Sequence, residues 1–213
     1  RAQHVKEFEE EILQYKKHGL EFFAFWSVHE AAFRLFEKYK LYPQIWYMFP
    51  SPKADTQEKR VEAAAKAILP LVERTRKLGC KLGLYNHGGW GGEPANLVAV
   101  CKYLREHHKA KHVGIVYNLH HGHGHIADFK QSLKLMQPYL HCLNLNGMNE
   151  GAQPKILQLG RGKHEANMIA TIRKSGYTGP IGILDHRSDT DTEIALRENL
   201  EGLKKVLELQ VDK

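Results

Sequence analysis

Four short runs carry the residue types that can do chemistry on a polar small molecule: Tyr85-Asn86-His87, Tyr117-Asn118-Leu119-His120-His121, Asn144-Leu145-Asn146 and Leu184-Asp185-His186-Arg187. Imidazoles change charge near neutral pH, so His87, His121 and His186 are candidate acids or bases, and Asp185 is a candidate carboxylate base. Tyr85, Asn86, Asn118, Asn144 and Asn146 offer both donors and acceptors suited to orienting hydroxyl groups, and Arg187 offers a fixed cation for an anionic group. The bland alternative stays open, because Asn, His and Asp also begin turns after strands. Asp185-His186-Arg187 could equally cap the following helix and pair locally.

Other groupings are less defined. His120, His121, His123 and His125 crowd together around Gly122 and Gly124. Such a tract can bind metal, with Asp128 or Asp185 as carboxylate partner, or can form a sharp loop. Gly160-Arg161-Gly162-Lys163 could cradle a phosphate or carboxylate ahead of a helix. Trp26, Trp46, Tyr47 and Trp90 could stack on a sugar ring or pack in the core. Cys80, Cys101 and Cys142 lack zinc-site spacing and read as buried free thiols.

These runs need elements to position them. Six segments read as buried strands: residues 21–27, 44–49, 81–86, 112–118, 141–146 and 181–184. Each is followed by helical periodicity, which predicts an α/β fold with a parallel sheet. Val61, Ala64, Ala65, Ile68 and Val72 form one helical stripe, with Pro70 expected to kink it. Leu196, Leu200, Leu203 and Leu207 form another, suited to covering a sheet. A leading helix places Val5, Phe8, Ile12 and Tyr15 on one face. The polar runs fall at the C-terminal ends of successive strands, the edge at which a parallel barrel gathers its site. If Tyr85, Asn118, Asn144 and Leu184 face inward, the residues two earlier are Gly83, Val116, Cys142 and Gly182, and three of these are small.

The chain has 213 residues, 42% hydrophobic and 26% charged, enough for one substantial core. Its net charge of +7 comes from Lys and Arg dispersed along helices rather than gathered in a block, so nucleic acid is not an expected partner. No apolar run has the length of a membrane span, so no membrane partner is expected. The sequence leaves the compartment open, cytoplasmic by default, with an exported form also open because the chain begins at Arg1.

At its strands the sequence resembles the xylose-isomerase-like sugar phosphate isomerase/epimerase superfamily. The segments 81–87, 113–121, 143–146 and 177–184 are similar to the family's fifth to eighth strands, and 159–177 to the link between the last two. The Tyr-Asn-His-Gly-Gly and Asn-Leu-His-His-Gly-His runs are similar to those of one bacterial branch. The resemblance implies a (β/α)8 TIM barrel as a single domain over 1–213, with its first two strands upstream of residue 1. An apolar seam would follow from that, so a homo-oligomer is an expectation. The implied function is isomerase, epimerase or lyase chemistry on a small carbohydrate or polyol, with a non-catalytic sugar-binding barrel as the alternative. The resemblance also implies four metal ligands, Glu, Asp, His and Glu, at positions that here carry Tyr85, Asn118, Asn144 and Leu184. No cofactor is therefore expected, with Mn, Zn or Mg as the ions to test. His121 matches a family His that helps hold substrate.

Overall fold

The computed structural model describes residues 4–209. They divide into two compact units, one running to Tyr85 and including Ala99–Gly114, the other comprising Asn86–Val98 and the chain from Ile115 on. All six expected strands are present, each followed by helical structure.

In the first unit, α1 (Val5–Lys17), β1 (Ala24–Trp26), α2 (Glu30–Tyr39), β2 (Gln44–Tyr47), α3 (Gln57–Leu78) and β3 (Leu82–Tyr85) follow one another. The strands pair in parallel in chain order, Ala24 opposite Gln44 and Ile45 opposite Leu82. The α1 stripe behaves as its spacing predicts. Phe8 packs against Phe22, Phe25 and Phe36 at centroid distances of 5.7, 5.6 and 6.1 Å, and Ile12 is buried. Such edge-on and tilted aromatic contacts add to the burial of the rings themselves.

Helix α3 begins at Thr56, whose hydroxyl accepts from the Lys59 N–H, and ends at Gly79 in the left-handed region (φ 73°). The helix continues through Pro70. The proline lies on the exposed face, where water can satisfy the carbonyl that its missing N–H leaves behind.

The second unit holds a short α4 (Gly89–Gly92), the start of α5 (Pro94–His108), most of β4 (Val113–Asn118), α6 (Phe129–Met136), β5 (Leu140–Leu145), α7 (Glu165–Lys174), β6 (Ile181–Ile183) and α8 (Thr192–Glu208). Again the strands are parallel: Asn118 stands opposite Asn144, and Asn144 opposite Gly182. The β6 residue level with Asn144 is Gly182, two residues before Leu184 and on the same side of the strand. Leu184 lies beyond the end of the strand. Gly182 is required there, since a Cβ would collide with the Asn144 side-chain oxygen.

The leucine stripe of α8 is also corrected. Leu196 and Leu200 are about half exposed, while Ala195, Asn199, Gly202 and Val206 face inward. The small residues win the buried face because Gly202 lies against the backbone of Leu159 and Gly160, too close for any side chain. Asn199, fully buried, donates to Asp185 Oδ2 (2.6 Å) and to the Ala195 carbonyl (2.8 Å), and accepts from the Leu159 N–H (2.9 Å). Replacing it leaves the buried Leu159 N–H unsatisfied and removes a donor from Asp185. Asn199→Ala is expected to cost about 2–4 kcal/mol in urea unfolding, against under about 0.5 kcal/mol for Leu200→Gln on the exposed face. Equal costs would contradict this orientation of α8.

Candidate functional site

Sequence order alone brings the ends of β3, β4, β5 and β6 to the loops that carry the polar runs. In the second unit an open cavity of about 520 Å³ is lined from these loops. His87 and Gly88 follow β3, His120, His121 and His123 follow β4, Lys155 and Ile156 belong to the loop after β5, and His186 follows β6.

The side chain of Asn86 holds two of these loops together. Its amide donates to the Asn118 carbonyl (3.0 Å) and its oxygen accepts from the Asn118 N–H (2.8 Å). A buried side-chain amide thus does the work of a neighbouring strand. Asn118 in turn accepts from the His120 N–H (3.0 Å), which starts the tight turn of residues 119–121. Both asparagines therefore position the loops rather than pointing free groups at a ligand.

The turn aligns the imidazoles in a chain of contacts. His87 lies 4.4 Å from His121, His121 4.8 Å from His120, and His120 5.0 Å from His186, centroid to centroid. Burial, with the neighbouring rings and the Lys155 ammonium, lowers His120 to about 4 and His121 to about 3. A hydrogen bond to the Lys155 carbonyl opposes the shift at His120 without cancelling it. Both rings are neutral at pH 7. His123, lowered chiefly by burial, places Nδ1 3.0 Å from the His120 carbonyl, while its buried Nε2 has no hydrogen-bond partner. The carbonyl puts the proton on Nδ1 and leaves Nε2 with its lone pair.

Asp185 and Arg187 take another arrangement. Burial alone would raise the Asp185 pKa, but the Arg187 guanidinium and backbone N–H, with Asn199, hold it below the usual carboxylate range. Arg187 Nη2 lies 2.7 Å from Asp185, and Nη1 lies 2.6 Å from Glu198. The carboxylate is saturated with donors, which removes it as a base, and the guanidinium is spent on two carboxylates. Of the triplet, only His186 reaches the cavity.

The remaining candidates are placed as follows. Tyr85 belongs to the first unit, edge-on to Trp26 at 4.2 Å and tilted against Trp46 at 6.1 Å. Asn144 and Asn146 are buried at the end of β5, and Asn144 Nδ2 and Asn146 Oδ1 lack hydrogen-bond partners. The Gly160–Lys163 loop cradles its own carboxylate instead of a ligand. Glu165 accepts from Gly162 N (2.6 Å) and Met148 N (3.0 Å), while Lys163 N donates to Asn149 (3.0 Å). His125 leaves the histidine cluster to sit between Glu93 (2.9 Å) and Asp128 (3.2 Å). Lys155 and Ile156 were not singled out from the sequence. Nothing in their local pattern marks a loop tip that folds back over the preceding turn.

The xylose isomerase-like TIM-barrel profile matches residues 15–206. The chain belongs to this family. Its fold is shared by solved structures of low identity. A D-tagatose 3-epimerase-like protein superposes with a TM-score of 0.69 at 17% identity, covering 98% of this chain and 84% of that one. An L-ribulose 3-epimerase gives 0.69 at 12% identity, covering 96% and 80%. The IOLI protein, solved with a binding zinc atom, gives 0.68 at 11% identity, covering 95% and 81%. No curated protein matches the chain.

The residues that the resemblance sets at the family's ligand positions are poor ligands for a divalent ion. Asn118 Oδ1 is committed to the His120 N–H, Asn144 is a neutral amide, and Leu184 has no donor atom. Among the described residues, no group of three or more His, Cys, Asp or Glu side chains is arranged to hold a metal. No described helix is long and apolar enough to cross a membrane.

The lowered histidines carry a pH signature. Unfolded, His120 and His121 titrate near 6.5; folded, they resist protonation down to about 4 and 3. Between these limits the unfolded chain binds more protons, so stability is highest above pH 6.5 and falls as pH drops toward 4. The urea midpoint should fall between pH 7.5 and 5, and less steeply in His120→Gln/His121→Gln. Parallel profiles for the two proteins would refute the assignment.

Proposed function

We propose that this chain binds a carbohydrate or polyol at the C-terminal ends of its strands and isomerises or epimerises it with imidazoles, without the divalent ion and carboxylates that the family pattern implies. The observation that carries this reading is the run of contacting rings His87, His121, His120 and His186 along one open cavity.

The roles divide by burial. Neutral His120 and His121 are too weakly basic to remove a proton from carbon, but a neutral imidazole N–H can polarise a sugar carbonyl. His87 and His186 are exposed at the two ends of the run, where a base can remove the proton beside that carbonyl and return it. Asn144 Nδ2 and Asn146 Oδ1, a donor and an acceptor without partners, are buried at the end of β5 and would need the cavity to open before they could orient hydroxyls. Asp185, Arg187, Asn86 and Asn118 act as supports, and Tyr85 as part of an aromatic cluster. The sugar-epimerase names of the structural neighbours agree with the substrate class.

A non-catalytic sugar-binding role is the second reading. It is favoured by the saturation of Asp185, which leaves no carboxylate on the cavity wall among the described residues.

Incubation with D-tagatose, L-ribulose and D-fructose in D2O separates the two readings. Catalysis places solvent deuterium beside the carbonyl, detected by NMR. We expect His87→Gln or His186→Gln to lower that exchange at least about 100-fold while sugar still binds. Binding without exchange selects the second reading, and neither binding nor exchange overturns both. Elemental analysis after dialysis against manganese, zinc and magnesium should return only sub-stoichiometric ion. A stoichiometric ion lost in Asn144→Ala would restore metal-assisted chemistry.

A further inference from the structure

Many exposed lysines of this chain come with an anion of their own. Lys6, Lys66, Lys102 and Lys204 each face a glutamate four residues away on the same helix, and Lys59 faces Asp55 just ahead of α3. Helix α6 breaks this pattern. It carries Lys130 and Lys134 and no acidic residue, and the aspartate that precedes it, Asp128, is taken by His125 and Ser132. The neighbouring α7 ends on Lys174, while its one carboxylate, Glu165, is buried against the Gly162 and Met148 N–H groups. All three lysines are exposed, and together they line a groove of about 630 Å³ between the two helices, shared with Thr171, Gln137 and the buried Leu133. Among the described residues none of the three has an ion pair.

Helix electrostatics account for two of these cations. Lys134 and Lys174 lie in last turns, where a positive charge meets the negative end of the helix dipole. Lys130 has no such reason. It is near the start of α6, at the positive end, and stands one turn from Lys134 on the same face, so the dipole and the like charge both oppose it. A cation that its own helix disfavours, completing a set of unpaired cations around a groove with an apolar base, is explained by something outside the fold.

We propose that the groove between α6 and α7 is an interaction surface for an acidic polypeptide segment, one in which glutamates or aspartates flank a leucine-sized side chain. The carboxylates meet the three ammonium groups, and the apolar side chain sits between the lysine stems over Leu133. A concave groove does not match a flat lipid surface, and a phosphate backbone has no group to place on its apolar base. The groove shares no residue with the histidine cavity, so the inference does not depend on the carbohydrate reading.

The test is fluorescence anisotropy on the full chain with a labelled helical peptide in which glutamates flank one leucine, and a second peptide with serine in place of that leucine. At about 0.15 M salt the leucine peptide should bind in the micromolar range, and the serine peptide severalfold more weakly. Lys130→Glu and Lys174→Glu should each weaken binding about fivefold or more. Lys53→Glu/Lys111→Glu, which reverses charge at exposed positions off the groove, should leave it unchanged. Lys130→Glu should at the same time raise the urea midpoint, since it puts an anion at the positive end of α6 and beside Lys134. Binding lost while stability is gained separates a lysine kept for a partner from one that supports the fold. The proposal is overturned by no binding of the leucine peptide, by equal weakening in Lys53→Glu/Lys111→Glu, by a serine peptide that binds as well, or by a Lys130→Glu midpoint that does not rise. Oligothymidylate or phosphatidylserine vesicles binding through the same lysines as tightly as the peptide also overturn it.

Discussion

The reciprocal pair of hydrogen bonds between the Asn86 amide and the Asn118 backbone fixes the geometry on which the candidate site depends. It joins the residue just before His87 to the residue just before the 119–121 turn, so the 4.4 Å contact between His87 and His121 follows from it. The pair is buried, so each group would be left dry and unpaired without the other, and such a group typically costs about 1–3 kcal/mol. Asn118 also spends its own side chain on the His120 N–H, which aims the second half of the histidine run. Two asparagines thus help set the position of three imidazoles through the backbone.

Strand positions were legible in the sequence because β-branched and aromatic runs bounded by polar turns leave few alternatives. The inward stripe of α1 and the helical span of α3 were legible for the same reason. What could not be read was which side of an element a small residue favours. The leucines of α8 gave the stronger periodic signal, yet Gly202 decides the packing, because only it allows the backbone at Leu159 and Gly160 to approach. Likewise, alternation gives the side a β6 residue faces but not its level, and the register of β5 with β6 sets Gly182 opposite Asn144.

Within the site, residue type identified the runs but not their division of labour. Asp185, His186 and Arg187 are adjacent in sequence, yet two of them pair with each other and with Glu198 while the third faces the cavity. That outcome depends on Asn199, fourteen residues away, which completes the shell of donors around the carboxylate. A sequence motif read as three tools is one tool and its bracket. The buried glutamate of α7 makes the same point, since Glu165 fills the glycine loop that would otherwise suit an external anion.

The loop between β5 and α7 is clamped to the rest of its unit at both ends. Glu165 holds Met148 and Gly162, Asn199 holds Leu159, and Gln158 donates to the Glu198 carbonyl at 3.0 Å. The exposed stretch between, residues 150–156, contributes Lys155 and Ile156 to the cavity wall and little to the core. Such a segment behaves as an exchangeable cassette: its residues can drift under selection for a new ligand while the clamps at its base preserve the scaffold. The cavity wall can therefore be altered at one surface loop without renegotiating the fold beneath it.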